Sequence, residues 1–206
     1  MNPWEINRTR VLCAAQDVAT TLLPIVHAAV LRDEIPYVTI SHSVGTLVQF
    51  ELLSLMREHG LRMPVHAFLS SFPSPALEPS KRPWRVNARL NDDDFKVECR
   101  EWDTNEIIFA KTVWPGLEPL MRADFTIFDQ YKYGRAGDAP FEFPITAFCA
   151  TKDRKVTREM VAEWKSFTTA TFVLHDIDAH HLFPISVPDA KRTWLHTIVK
   201  ELDSCI

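Results

Sequence analysis

Ser43, Asp153 and a histidine at position 180 or 181 are the residues of this 206-residue sequence whose types could together carry out nucleophilic chemistry. A serine hydroxyl is a weak nucleophile until a base takes its proton. A histidine base works best when a carboxylate fixes its tautomer and steadies its cation. Ser43 lies in Ser41-His42-Ser43-Val44-Gly45, directly after a β-branched and aromatic run and directly before a helical pattern. A serine on so tight a strand-to-helix turn lifts its Oγ above the sheet. The helix that follows aims backbone N–H groups, here that of Val44, at an oxyanion. The turn favours glycine two residues to either side of the serine. Gly45 fills one place, and Ser41, small but not glycine, fills the other. Ser43 also fits a plainer role as the cap of an ordinary strand–helix loop.

Asp153 sits in Thr151-Lys152-Asp153, just past a strand-like run, where a carboxylate can orient an imidazole. Its plainer role is a turn aspartate or helix N-cap. His180, in Asp178-Ala179-His180-His181-Leu182-Phe183, follows the last strand-like run and is the expected base. His181 is the alternative, one residue of register away. His42 is expected to point away from the reacting side and to act as structural support.

The elements that must position these residues alternate. Residues 11–32 read as a helix interrupted at Pro24. Residues 37–40 read as a strand, 44–59 as a helix with Gly60 suited to its end, and 65–69 as a buried strand. A proline-rich loop over 71–85 leads into a helical region over 86–133, rich in tryptophan, phenylalanine and charge. A strand over 144–150, a helix over 156–167, a strand over 171–174 and a helix over 188–202 complete the chain. This order predicts an α/β fold: a mostly parallel sheet, helices on both faces and a helical lid inserted near residues 76–135, all within one domain over 1–206. The order Ser43, Asp153, His180, each after a predicted strand, is that of the α/β-hydrolases.

Several separate blocks resemble the type II thioesterases, the discrete editing enzymes of polyketide, nonribosomal peptide and fatty acid synthases. They are Pro36-Tyr37 with the run from Ser41 to Leu52, the segment from Pro64 to Ser71 with Pro73 and Pro75, and Leu120-Met121-Arg122-Ala123-Asp124-Phe125 with Tyr131. Asp153 stands where the family places its acid. Ala179-His180-His181-Leu182 stands where the family has glycine, histidine and two bulky residues. The resemblance covers about residues 16–200. It implies that Ser43 attacks an acyl thioester held on the phosphopantetheine arm of an acyl carrier protein, with His180 as base, Asp153 as its orienting acid and Val44 as oxyanion donor. It also implies an acyl pocket in the lid, for which Trp84, Trp102, Phe109, Trp114 and Phe125 are the candidates. An aromatic cap core is the plainer account of each. No cofactor and no metal are implied, since triad hydrolysis needs only water. Arg122 and Asp124 are expected to form an ion pair or helix contact, and Asp92-Asp93-Asp94 a solvated acidic loop.

Family members carry more chain before the elbow, including first strands and a glycine-rich loop that gives a second oxyanion N–H. Residues 1–15 contain no glycine. Loss of one donor typically lowers the rate about 10²–10³-fold. A fragment of a longer protein, a shortened hydrolase of weak activity and a sheet edge covered by a partner all fit this departure. Beside the thioesterase reading stand a catalytically weak or inactive fold that binds acyl groups or a carrier protein, and an oxygen-ester carboxylesterase.

Composition narrows the field further. Lys and Arg number 23 against 27 Asp and Glu, a net charge of −4, so no basic surplus exists to neutralise nucleic-acid phosphates. The longest apolar stretch, residues 21–31, is broken by Pro24 and His27 and falls short of the ~20 residues a membrane span needs. Residues 1–10 carry charges and no apolar run, so no secretory signal is expected, and Asn7-Arg8-Thr9 reads as a chance sequon. Cys13, Cys99, Cys149 and Cys205 are scattered without metal-binding spacing, which predicts free thiols and a cytoplasmic location.

Overall fold

The computed structural model describes residues 14–30 and 35–203. The expectations for Asn7, Cys13, Cys205 and the glycine-free N-terminal stretch fall outside them. Four strands, β1 (Val38–His42), β2 (His66–Ser70), β3 (Ile145–Ala150) and β4 (Phe172–Ile177), form one sheet in the order β1-β2-β3-β4. Every neighbouring pair is parallel, with Val38 opposite His66, Ala67 opposite Ile145 and Ile145 opposite Phe172. All four strands therefore end on the same side. Side chains in the inner strands alternate between two apolar layers. Ala67, Leu69, Ile145, Ala147 and Cys149 join the larger core, while Phe68, Phe148 and Ala150 join a smaller one.

The larger core lies against α1 (Ala15–Val30), α2 (Gly45–Glu58) and α5 (Arg158–Ala162). In α2, Leu47, Phe50, Leu53 and Met56 recur at helical spacing and are buried. The helix stops at Gly60, whose φ of 62° suits a residue without a β-carbon. There the Gly60 N–H donates to the Arg57 carbonyl and the Leu61 N–H to the Met56 carbonyl, which satisfies two end carbonyls. The smaller core lies under α6 (Phe183–Ser186) and α7 (Pro188–Asp203), with Phe183, Trp194 and Ile198 against the sheet. Helices thus cover both faces.

The connection between β2 and β3 carries α3 (Asp92–Glu101) and α4 (Trp114–Asp129), with short 3₁₀ turns between. Two expectations change, and one element was not foreseen. α1 runs through Pro24 without interruption and buries Ala15, Ala19 and Leu23 on one stripe. Asp92-Asp93-Asp94 is the first turn of α3, capped by the Asn91 side chain, where acidic residues complement the helix dipole. α6, a single turn, escapes the periodicity reading. On its outer side β1 pairs with no strand among the described residues, and Ile40 there is 48% exposed. No helix among the described residues is long and apolar enough to cross a membrane.

Candidate active site

The C-terminal ends of β1, β3 and β4 converge on one hydrogen-bonded chain of side chains. Ser43 leaves β1 with φ 54°, and its N–H donates to the Ser70 carbonyl at 2.9 Å. Its carbonyl accepts from the Thr46 N–H at 2.9 Å, so the turn closes directly into α2. Ser41 at the place that favours glycine is not crowded by the position that faces it, Gly45. A β-carbon added there would meet that of Ser41 at 3.8 Å, an ordinary contact. Among the described residues no group accepts from the Val44 N–H, which leaves it free to donate at the mouth of the turn.

Ser43 Oγ lies 2.7 Å from Nε2 of His181, and His181 Nδ1 lies 2.6 Å from Oδ2 of Asp153. The His181 and Asp153 side chains are 2% and 1% exposed. The other Asp153 oxygen accepts from the backbone N–H groups of Lys155 at 2.9 Å and Val156 at 3.0 Å. These bonds fix the carboxylate and, through it, the imidazole tautomer: Nδ1 carries the proton donated to Asp153, and Nε2 is the acceptor facing Ser43. The loops holding the two residues are laced together, with the Thr151 N–H donating to Ile177 and the Lys152 N–H to Ala179.

His180 therefore does not occupy the position expected of the base. Its ring turns outward, with Nε2 3.2 Å from the Ser186 hydroxyl, and the side chain is 35% exposed. The sequence held a signal for the correct register. With His181 in the histidine place, the two bulky residues that follow are Leu182 and Phe183, and Phe183 is fully buried. His42 lies beside the triad, its ring centroid 5.2 Å from that of His181, and Nδ1 meets the Ser70 hydroxyl at 3.1 Å. Burial first, and the nearby His181 second, push its imidazole down to about 3, which keeps it neutral.

The five aromatic candidates pack into the cap. Trp102 alone among them reaches the triad, its ring edge-on to His181 at 4.8 Å. Trp84 lies tilted against Trp102 at 5.8 Å and Phe125 meets it edge-on at 6.5 Å. Trp114 and Phe109 stand further off, joined to Phe125 through Phe95. Trp84 lines a small open cleft with Leu47, Phe72 and Phe128. Arg122 pairs with Glu118 at 2.8 Å and donates to the Asn87 carbonyl, so its contacts are those of a helix and not a bond to Asp124. Asp92 accepts from Trp114 Nε1 at 2.6 Å and pairs with Lys96. The two described cysteines, Cys99 and Cys149, are buried, which pushes their thiols up to about 12 and about 11, so neither supplies a thiolate.

The cap is bolted to the Asp153 loop by buried charge. Glu98 of α3, fully buried, accepts from Lys155 Nζ at 3.1 Å, Arg85 Nε at 3.0 Å and Trp102 Nε1 at 3.3 Å. Lys155 also pairs with Glu101.

Residues 7–201 match the family described as the thioesterase domain. The gramicidin S biosynthesis protein GrsT of Aneurinibacillus migulanus is 30% identical over 181 residues, 87% of this chain and 66% of that protein. YbtT, the type II thioesterase of the yersiniabactin pathway, superposes with a TM-score of 0.79 at 25% identity, over 94% of this chain and 76% of its own. The RedJ thioesterase of prodiginine biosynthesis in Streptomyces coelicolor superposes with a TM-score of 0.77 at 24% identity, over 90% of this chain and 67% of its own. The chain spans between 49% and 68% of the length of the curated relatives it matches.

Proposed function

The chain belongs to the thioesterase domain family, and on that premise we propose that it is a serine hydrolase that cleaves acyl groups from the phosphopantetheine thiol of a carrier protein. The observation that carries this reading is the unbroken chain Ser43–His181–Asp153, with contacts of 2.7 and 2.6 Å, at the ends of three parallel strands. Ser43 Oγ attacks the thioester carbonyl carbon while its proton passes to His181 Nε2. Asp153 stabilises the imidazolium so formed, and the Val44 N–H donates to the carbonyl oxygen as it gains charge. The tetrahedral intermediate collapses, the C–S bond breaks, and His181 returns the proton to the departing thiolate. Water then attacks the acyl-serine, with His181 again taking and returning a proton, and the free acid leaves. The carrier-protein substrate is supported by the biosynthetic pathways named for GrsT, YbtT and RedJ. Trp102, with Trp84 and Phe125 behind it, is the aromatic wall an acyl chain would meet first.

The test is fluorophosphonate labelling of the purified chain with peptide mapping, beside Ser43→Ala, followed by turnover of matched acyl thioesters and oxygen esters. Labelling at Ser43 and faster thioester turnover are expected. A folded chain that does not label would point instead to an acyl- or carrier-binding protein. Equal or faster oxygen-ester turnover would make it a carboxylesterase.

A further inference from the structure

One cap residue grips two of the three loops that carry the triad, those of Asp153 and His181. α3 ends at Glu101, and the chain turns through Trp102 and Asp103, where Asp103 takes a φ of 61°. A left-handed residue is most cheaply glycine, since a β-carbon crowds the backbone there. Asp103 instead places a carboxylate, 10% exposed, between two strand ends. Its Oδ2 accepts from the backbone N–H of His181 at 3.1 Å. Its Oδ1 accepts from Arg154 Nε at 3.1 Å and also from the Arg154 Nη2. Arg154 is the residue after Asp153, so this single carboxylate joins the loop after β3 to the loop after β4. Trp102, its neighbour, meets the His181 ring edge.

We propose that Asp103 is a positioning residue for the base, an inference that rests on the triad reading above. Asp153 holds the imidazole at Nδ1, and Asp103 holds the main chain from which the ring hangs. Two anchors, one at each end of the residue, set where Nε2 lies; with only the first, the ring swings about the Nδ1 bond. Base catalysis tolerates displacements of only about 0.5 Å. Loss of Asp103 removes the acceptor of a buried N–H, and the loop must shift to find another.

Glycine is the discriminating substitution. A mere turn-former at φ 61° would be replaced by glycine without loss, and with some gain in stability. The positioning role requires Asp103→Gly to lower kcat for thioester hydrolysis, and the maximal rate of fluorophosphonate labelling at Ser43, by about ten- to hundredfold. KM is expected to stay within about twofold, because no contact with substrate is involved. Asp103→Asn keeps an acceptor for the His181 N–H and tolerates the left-handed conformation, so it is expected to recover to within about threefold of the parent. Arg154→Met, on an exposed side chain, leaves the turn intact and loosens the carboxylate; a several-fold loss of kcat is expected there. Wild-type kcat in a folded Asp103→Gly variant overturns the proposal. If that variant does not fold, wild-type kcat in Arg154→Met overturns it. Ser43→Ala and His181→Ala belong in the same series. If those two retain activity, or the parent does not label, the triad reading fails, and the inference falls with it.

Discussion

Replacing His181 with alanine removes the acceptor 2.7 Å from Ser43 Oγ and strips Asp153 of its only imidazole partner. General base assistance is worth about 10²–10⁴ in rate, or ~3–5 kcal/mol at ~1.4 kcal/mol per decade. Labelling of Ser43 by a fluorophosphonate should slow by that factor. His180→Ala is the matched control. It removes a half-exposed ring whose contacts are the Ser186 hydroxyl at 3.2 Å and a 3.6 Å approach to Asp103. Substitutions of that kind cost about 0.5 kcal/mol or less, so its labelling rate should stay within about threefold of the parent. His181→Ala also opens a hole between Trp102 and His42, whose rings lie 4.8 and 5.2 Å away. Its melting temperature must therefore be measured alongside, and labelling followed by intact mass well below it. Near-parental labelling in folded His181→Ala, with loss in His180→Ala, would refute the geometry on which the mechanism depends.

Two further outcomes are expected. His42 is held neutral by burial, with its pKa lowered to about 3, whereas an unfolded histidine titrates near 6.5. Between those values the unfolded chain binds the extra proton. Stability from neutral His42 is therefore complete above about pH 6.5 and is lost as pH falls toward 3, by at most about 5 kcal/mol. His42→Gln should flatten the rise of the urea midpoint with pH across that window, and an unchanged slope would remove His42 from the account. Ser71, with φ 51°, is buried, and its hydroxyl has no hydrogen-bond partner among the described residues. Ser71→Gly should therefore raise stability by about 1 kcal/mol, or roughly 2–4 °C in melting temperature, and a lower melting temperature would show that the hydroxyl is engaged.

The strands and α2 were legible because their signals are local. Val38-Thr39-Ile40 is β-branched, the runs at β2 and β3 are apolar on both faces, and the leucine and phenylalanine spacing of α2 ends on Gly60. Ser43 was legible because it directly follows such a strand, and Asp153 because it lies three residues past one. The base stayed open between two adjacent histidines that differ by one residue of register, because the bulky pair after His181 is a slight signal beside the packing that separates them. Phe183 is buried against Trp194 of α7, and His181, two residues before it, is buried as well. The three aspartates at the start of α3 read as a solvated loop, since charge alone does not separate a loop from a capped first turn. Pro24 read as a break, yet α1 continues to Val30, with Val26 packed against the same core as Ala15, Ala19 and Leu23, tertiary packing outweighing one lost helical bond. Asp103 carried no sequence signal, because its partners, Arg154 and His181, lie far along the chain.

Backbone strain in this chain gathers where the strand ends meet the cap. Among the described residues, Ser43, Ser71 and Asp103 are the non-glycine residues with positive φ, at 54°, 51° and 61°. Each such residue costs on the order of 1–3 kcal/mol and persists only where the surrounding structure holds it. The sequence has only five glycines, and Gly60 alone among the described ones has positive φ. At Ser43 the cost is matched by an Oγ aimed at His181. At Asp103 it is matched by a carboxylate that takes the His181 N–H and the Arg154 guanidinium together. Both strained side chains thus act on one residue, Ser43 at the His181 ring and Asp103 at its main chain, and the cap enters the site as a fixed wall. Glu98, Lys155 and Glu101 reinforce that wall by tying α3 to the loop of Asp153. Trp102, at the anchored end of α3, is part of that wall, so the contacts that hold the cap also fix the ring edge it presents to His181.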